Sequence, residues 1–550
     1  MKKCHAALCI TALLVTLTAC TQNTSEQEPV MSFMTAPTET SAADTGSTET
    51  KPLDLSDYKE LPVLSIQTVS QESNVMDFIT KPVAAHVAEQ IATWTPGYVM
   101  PPAPYYETCK ISLTDPDQNL LLADAEAEVK VRGNWTTNYP KKPLRLKFTE
   151  KQNLLGMHDG AAFRNWLLLA AYKDASLLRD RTALSIAREI LGADGLYASD
   201  AQFAEVFVNQ EYWGVYLLAE QQQVNPERIA ITEVQPEDTG TNIGYLMEFD
   251  GYYYNEDPLH QFHVEYADNA PLTPFDGEGG NEKTMSCLPK NSSDPKRDVG
   301  ITIKSQINTQ EQHDFIASYL NHVYEIMYAA AYENKAMVFN DAFTEISEDT
   351  SISPQEAVEQ AVDVQSLADM YIISELTCDA DLYWSSFYMD VDFGEGGSKK
   401  LRFEAPWDFD SAMGNKMRCE DGTGFYAANL IPDVDCGPDY KGNYETINPW
   451  LAVLMYEDWY QDVIRETWKK AYESGVFRKA HDMILQETKD YQNAFARNYE
   501  KWDNIRNNAD FYQELSRSAR KCKDQEQAAE YLADWLEKRT AFLNDYWGSN

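Results

Sequence analysis

"LRFEAPWDFDSAMGN", Leu401 to Asn415, is the stretch on which the reading of this chain turns. It begins as a short apolar strand, passes through a Pro-Trp step, and sets Asp408 and Asp410 on either side of Phe409. Two carboxylates this close together at a strand end suit a magnesium-like ion. Such an ion takes one or two acids from the protein and its remaining oxygens from ligand and water. The same residues also suit a polar turn that closes a hairpin. The neighbouring segments have to decide between the two.

Upstream lies "CDADLYWSSFYMDV", Cys378 to Val391, at the junction of a helical stretch and a strand. Asp381 stands there, 27 residues before Asp408, and Ser386 follows five positions later. In phosphoryl transfer a carboxylate orients the accepting hydroxyl and a nearby polar side chain completes the metal shell. A turn aspartate at a helix end is the plainer alternative. Further upstream, "VKVRGNWTTNYPKKPLRLKF" (Val129 to Phe148) holds Lys130, Arg132, Lys141, Lys142, Arg145 and Lys147 and no acid. That is anomalous in a chain with 46 Lys and Arg against 87 Asp and Glu, a formal net charge of -41. A cationic patch on paired strands can hold a polyphosphate, with Arg as a fork and Lys as a point charge. Alternating Lys on a solvated strand face is the other reading. The overall acidity excludes nucleic-acid binding through a general basic field.

Around these segments the order of elements is legible. "LPVLSIQTV" (Leu61 to Val69), the alternation at Val129 and Val131, and that at Leu144, Leu146 and Phe148 predict strands. "AEVFVNQEYWGVYLLAEQ" (Ala204 to Gln221) predicts a hairpin turning at Asn209-Gln210. Between them, Leu178, Thr182, Ile186 and Ile190 recur at helical spacing over residues 175–191, with Gly192 as the stop. Beyond residue 305 helical periodicity dominates, interrupted by "SSFYMDV" and "KKLRFEAPWDFD". A β-rich front followed by helices predicts an α+β chain with two lobes.

The N-terminus predicts the compartment. Lys2 and Lys3 precede an apolar run, Ala6 to Leu17, that is too short for an ordinary membrane span and reads as a secretory signal over residues 1–19. "LTAC", ending at Cys20, resembles a bacterial lipobox. That resemblance implies lipidation of Cys20 and an extracytoplasmic lipoprotein of the cell envelope. Thr21 gives no retention signal, which predicts the outer face of a bacterial membrane, with the lipid as the only membrane contact. Residues 20–60, rich in Thr, Ser, Glu and Pro, read as a disordered tether. Residues 61–225 are expected to form the β-rich lobe, 226–305 an insertion and linker, and 306–550 the helical lobe. Cys419 and Cys436 are the expected disulfide pair. No CxxC or HExxH spacing supports zinc. The turn "DGEGGN" (Asp276 to Asn281) lacks full EF-hand spacing for calcium. Twelve Trp and 32 Tyr invite a glycosidase reading with paired carboxylates, but that leaves the basic patch without a role.

The pieces in this order resemble the spore coat protein H kinase family, the CotH-type atypical protein kinases. The resemblance rests on "VKVRGNWTTNYPKKPLRLKF", "NWLLLAAYKDASLLRDRTALSIAREIL", "VFVNQEYWGVYLLAEQ", "DLYWSSFYMDV" and "PWDFDSAMGN", and runs from about residue 60 onward. It implies a two-lobed atypical protein-kinase-like fold that uses ATP with Mg²⁺ or Mn²⁺ to phosphorylate Ser or Thr of a protein substrate, as a monomer. By position, Asp381 becomes the catalytic base, and Asp408, with Asp410 second, the metal acid. Lys142 or its neighbour Lys141 would hold the ATP phosphates, supported by Arg132 and Arg179. Glu220 would pair with that lysine. Two departures stand out. Ser386 occupies the place of the family's Asn metal ligand, and Asn209-Gln210 that of its Asn-Gly turn. The first keeps open an alternative: a catalytically inactive kinase-like surface scaffold.

Overall fold

The computed structural model describes residues 54–548, apart from 278–285, 291–297, 380, 433–444 and 510. Cys20, the signal and tether segments before residue 54, Cys436 and most of the Asp276–Asn281 turn therefore lie outside the described residues. Among the described residues, no helix is long and apolar enough to cross a membrane.

Period-two alternation at the front of the chain builds a closed barrel of seven strands. They are β1 (Val63–Thr68), β2 (Glu107–Thr114), β3 (Leu120–Val131), β4 (Leu144–Gln152), β5 (Phe163–Leu169), β6 (Ala201–Val208) and β7 (Glu211–Glu220), in the order β1-β2-β3-β4-β5-β7-β6. All neighbours run antiparallel except β1 and β6, whose parallel pairing closes the ring. Leu64, Ile66, Val129, Leu144, Leu146, Trp166, Val206 and Leu218 fill its interior. The residues between them on β5, β6 and β7, among them Leu167, Leu169, Phe203 and Leu217, face outward into the large core shared with the helices. One alternating pattern thus serves two cores, which is why these strands are apolar on both faces.

The β6–β7 hairpin turns through Asn209 (φ +49°) and Gln210 (φ +68°), both left-handed, as a two-residue turn of matching twist demands. Asn209 offsets part of the backbone strain: its Oδ1 accepts from the Thr68 amide and hydroxyl, both at 2.9 Å.

A second, five-stranded sheet follows, made of β8 (Gly244–Asp250), β9 (Gln261–Phe262), β10 (Gly300–Ile303), β11 (Phe387–Asp392) and β12 (Arg402–Phe403), ordered β12-β11-β8-β10-β9. Helices surround it: α1 (Arg179–Ala193), α2 (Gln310–Tyr328), α3 (Pro354–Ala361), α4 (Val364–Thr377), α5 (Asp458–Ser474), α6 (Val476–Asp490), α7 (Gln492–Trp502) and α8 (Gln525–Trp547). Capping boxes at Thr309/Gln312 and Ser353/Glu356 start α2 and α3. Helix α4 is buried nearly all round, so it runs through the core rather than along its surface. The result is an α+β chain with a β-rich front and a mainly helical back.

Helix α1 starts later than its periodicity predicts. The Asp174 carboxylate accepts from the amides of Ser176 and Arg179, both at 2.9 Å, and holds 174–178 as a turn. Gly192 lies within the helix rather than ending it; Gly195, at φ +75°, follows the last turn. Helix α7 packs back onto the barrel, where Arg497 makes a two-pronged contact with the buried Glu205 carboxylate at 2.9 and 2.7 Å.

Candidate active site

Asp408 follows β12 and sits in the left-handed region at φ +70°, a conformation aspartate tolerates better than most residues. The first turn of α1 holds this loop from both sides. Asp180 Oδ1 accepts from the Phe409 amide at 2.8 Å. Arg179 Nε donates to the Ala412 and Met413 carbonyls at 3.1 and 3.3 Å, and its guanidinium pairs with Asp174. Asn415 Nδ2 closes the loop by donating to Asp410 O at 2.7 Å.

Asp381 enters from the other direction. Helix α4 ends at Cys378 in a left-handed cap, and the chain then turns so that Asp381 O accepts from the Trp384 and Ser385 amides. The Asp381 amide donates to the buried Asp379 carboxylate at 3.0 Å.

These acids form one electrostatic group. Lys173, on the loop after β5, pairs with Asp410 at 3.2 Å, and both side chains are nearly buried. Burial alone would lower the Lys173 ammonium, but Asp410, Tyr139, Glu514 and Asp381 hold it well above its ordinary range. Lys416 Nζ stands 3.6 Å from Asp381, and Arg418 donates to the Asp379 carbonyl at 2.9 Å. Burial would raise Asp381, but Lys416, Lys173 and Arg418 outweigh it and hold the carboxyl below its usual value. Asp408 shows the opposite balance. Burial first, then the charges of Asp410 and Asp381, push it up to about 7 despite Lys173 and Arg132. Asp180 and Asp379 are raised as well, by burial first and then by neighbouring acids. Two carboxylates with separated affinities for the proton are a recurrent sign of divided chemical roles.

The barrel contributes through Arg132, just after β3. Its guanidinium lies 5.9 Å from the centre of the Trp407 ring, and its charge acts on Asp408 and on Tyr388. The adjacent Gly133, at φ +99°, makes the required sharp exit, since a Cβ there would come within 2.6 Å of Thr136 Oγ1.

The structure does not bring Lys141 and Lys142 to the acids. Both are buried and satisfied by oxygens of the fold. Lys141 Nζ donates to the carbonyls of Ala170 and Val215 and to Asn498 Oδ1 on α7. Lys142 donates to the Thr137 and Tyr139 carbonyls. Burial depresses both ammonium groups, Lys142 to about 8. Among the described residues neither has a carboxylate partner, so they act as staples. Glu220 likewise pairs with no lysine. Its carboxylate meets His158 at 3.2 Å and Arg228 at 3.5 Å. Arg179 reaches the site only as the strut described above. Ser386, at φ +63°, donates its amide to Glu248 Oε1 at 2.9 Å.

Where the chain leaves β7 for the second sheet, a cavity of about 400 Å³ is lined by Arg145, Gln221 to Val224, Thr232 to Val234, Gly244, Leu246 and Lys304 to Gln306. Arg145 Nε, Gln221 Oε1 and Gln222 Nε2 are buried without a hydrogen-bond partner. Buried polar atoms are rarely left so unless a ligand or water completes them. Lys304 pairs with Glu248 at 2.8 Å, and both, with Arg132, act on Tyr388. Charged groups thus run from this cavity to Asp408.

Among the described residues no three His, Cys, Asp or Glu side chains form a metal cage. A divalent ion at Asp408 and Asp410 would need further oxygens from its ligand, which is how magnesium is commonly held beside phosphates. The crowding that raises Asp408 is the kind an added cation relieves, so the residues present fit such an ion.

Sequence reasoning missed Lys173, Asp180, Asp379, Lys416 and Arg418. The available signal was a charge set inside an apolar run, as in "WLLLAAYKDASLL".

No curated protein matches the chain. A family model described as CotH kinase protein matches residues 129–543, about three quarters of the chain, and includes every acid and base of this cluster. The chain therefore belongs to the CotH kinase family.

Proposed function

We propose that this protein is a two-lobed, kinase-like enzyme that transfers the γ-phosphoryl group of ATP to a Ser or Thr hydroxyl of a protein substrate. The observation that carries this reading is the convergence of Asp381, Asp408 and Asp410 in one partly buried cluster, with Lys416 3.6 Å from Asp381 and Lys173 3.2 Å from Asp410. Asp381, kept ionised by Lys416, Lys173 and Arg418, orients the acceptor hydroxyl and takes its proton as the oxygen bonds to phosphorus and ADP departs. Asp408 and Asp410 would hold Mg²⁺ or Mn²⁺, whose charge would offset that building on the transferring group. Lys173 and Arg132 face the same charge from the barrel side. The cavity by Gln221 to Val224 supplies unpaired polar atoms for the nucleotide's far end.

The protein works as an extracytoplasmic monomer, tethered by a lipid on Cys20 to the outer face of a bacterial membrane, and does not bind nucleic acid. Incorporation of labelled palmitate that is lost in Cys20→Ser tests the anchor.

A second reading, a non-catalytic surface scaffold, draws on Ser386 in place of an amide ligand and on the burial of Lys141 and Lys142. Labelled ATP with Mg²⁺ or Mn²⁺ separates the two. Transfer that vanishes in both Asp381→Asn and Asp408→Asn supports the enzyme. Absence of nucleotide binding in the parent protein supports the scaffold.

A further inference from the structure

Beside the candidate base runs "LSRSARKCK", Leu515 to Lys523, with Arg517, Arg520, Lys521 and Lys523, flanked by Glu514 and Asp524 and with Glu420 facing Arg517, in a chain whose acids outnumber its bases almost two to one. Its position is fixed by contacts with the loop that carries Lys416. Leu515 pairs with Lys416 as an antiparallel bridge. The Ser516 amide donates to Asn415 O at 2.6 Å, and Ser518 donates its amide and hydroxyl to Glu420 Oε1, both at 2.7 Å. Lys416 in turn stands 3.6 Å from Asp381.

The segment therefore continues the cationic side of the site outward. Arg517, Lys521 and Lys523 are exposed. Lys521 and Lys523 have no carboxylate partner among the described residues. Arg520 lies over the Tyr512 ring at 4.5 Å and keeps a buried Nε without a partner. Three residues past Asp381, Trp384 meets Tyr252 edge-on at 5.8 Å, an aromatic contact rather than a charged one.

We propose that Arg517, Lys521 and Lys523 form a docking rail for the acceptor, and that the acceptor is an acidic, Ser/Thr-bearing segment of a separate protein. This rests on the phosphoryl-transfer reading for its purpose, though not for its binding. The argument is one of range. The net charge of the molecule repels an acidic partner at long distance, but charges beyond about 8 Å are largely screened at physiological salt. Within that distance the rail, with Lys416 and Arg418 behind it, sets the local field. A basic acceptor would meet repulsion from these exposed cations beside the base. An acidic one finds an attractive strip joined to the base through Leu515 and Lys416.

The test uses the full chain and two peptides of equal length, one with Asp and Glu around a central Ser, one with Gln in their place. Fluorescence anisotropy with the central Ser replaced by Ala measures docking without any transfer. The acidic peptide is expected to bind about tenfold more tightly than the neutral one, and the preference to vanish in the triple variant Arg517→Ser, Lys521→Ser, Lys523→Ser, consistent with three exposed charge pairs. With the Ser peptides and labelled ATP, the same variant is expected to raise KM for the acidic acceptor about tenfold with kcat unchanged. Equal binding of the two peptides, or a preference that survives in the triple variant, overturns the proposal. Selective binding with no transfer keeps the rail and rejects the enzyme.

Discussion

Asp408→Asn should make the protein inactive and, at neutral pH, more stable. The reasoning starts from the carboxyl's rise to about 7, caused by burial and by Asp410 and Asp381. In the unfolded chain the same group titrates near its ordinary value of about 3.9. Between those two values the folded state binds more protons than the unfolded state, so stability falls as pH rises. With about 1.4 kcal/mol per pKa unit, ionising Asp408 in the folded protein costs on the order of 4 kcal/mol by pH 8 and roughly a third of that at pH 5. Asparagine has nearly the same shape and carries no charge. The variant should gain a few kcal/mol at pH 8 and far less at pH 5. Urea unfolding at both pH values, with EDTA present to remove divalent ions, reads this directly, and phosphoryl transfer is measured on the same samples. A variant destabilised equally at both pH values would show that the Asp408 charge is not under strain and would refute the cluster's electrostatics. Mg²⁺ should add more stability to the parent protein at pH 8 than at pH 5, and little to the variant at either.

Other variants separate the barrel's cations by role. Arg132→Met should weaken nucleotide affinity roughly tenfold, the worth of a charge-assisted contact, whereas Lys142→Met should leave it within about twofold, as equilibrium binding of a fluorescent ATP analogue would show. Lys173→Met removes one member of a buried ion pair and should cost about 3–5 kcal/mol in urea unfolding, with much of the loss restored by adding Asp410→Asn. Far from the acids, Arg497→Ala strips the buried Glu205 carboxylate of its partner. It should lower stability by a similar ~3–5 kcal/mol and leave the KM for ATP unchanged.

The barrel strands were legible because alternation reports burial directly, and the buried faces at Leu64, Val129, Leu144 and Val206 follow it. The hairpin at Asn209-Gln210 was legible without a glycine because the apolar runs on either side leave only two residues for the turn. The start of α1 was not. Its first predicted turn is held by Asp174, whose side chain competes with the helix for the amides of Ser176 and Arg179. The fate of Lys141 was hidden for a different reason. Its acceptors come from Ala170, Val215 and Asn498, residues distant in sequence, and a lysine among other lysines reads as solvated until the fold supplies those oxygens. Asp381 and Asp408 stood at element ends and could be named. Lys173, which joins their neighbourhood to the barrel, became visible only once β5 was placed beside the loop of Asp410.

The placement of the cations explains how so acidic a chain keeps several carboxylates together. Asp379, Asp381, Asp408 and Asp410 all come from the back of the chain, and the cations there, Lys416 and Arg418, serve Asp381 and Asp379. Asp410 depends on Lys173, and Asp408 feels Arg132; both cations arrive on loops that leave barrel strands. At 3.2 Å and an effective dielectric constant of about 20, the Lys173–Asp410 attraction is on the order of 5 kcal/mol before desolvation is counted. The two halves of the chain are thus held together at the site by charge, while α7 grips the barrel through Arg497 and Asn498. A divalent ion that took the Asp410 carboxylate would compete with Lys173 for it. Phosphate oxygens are the groups able to satisfy both cations at once, so ion and nucleotide should bind here as a unit rather than independently.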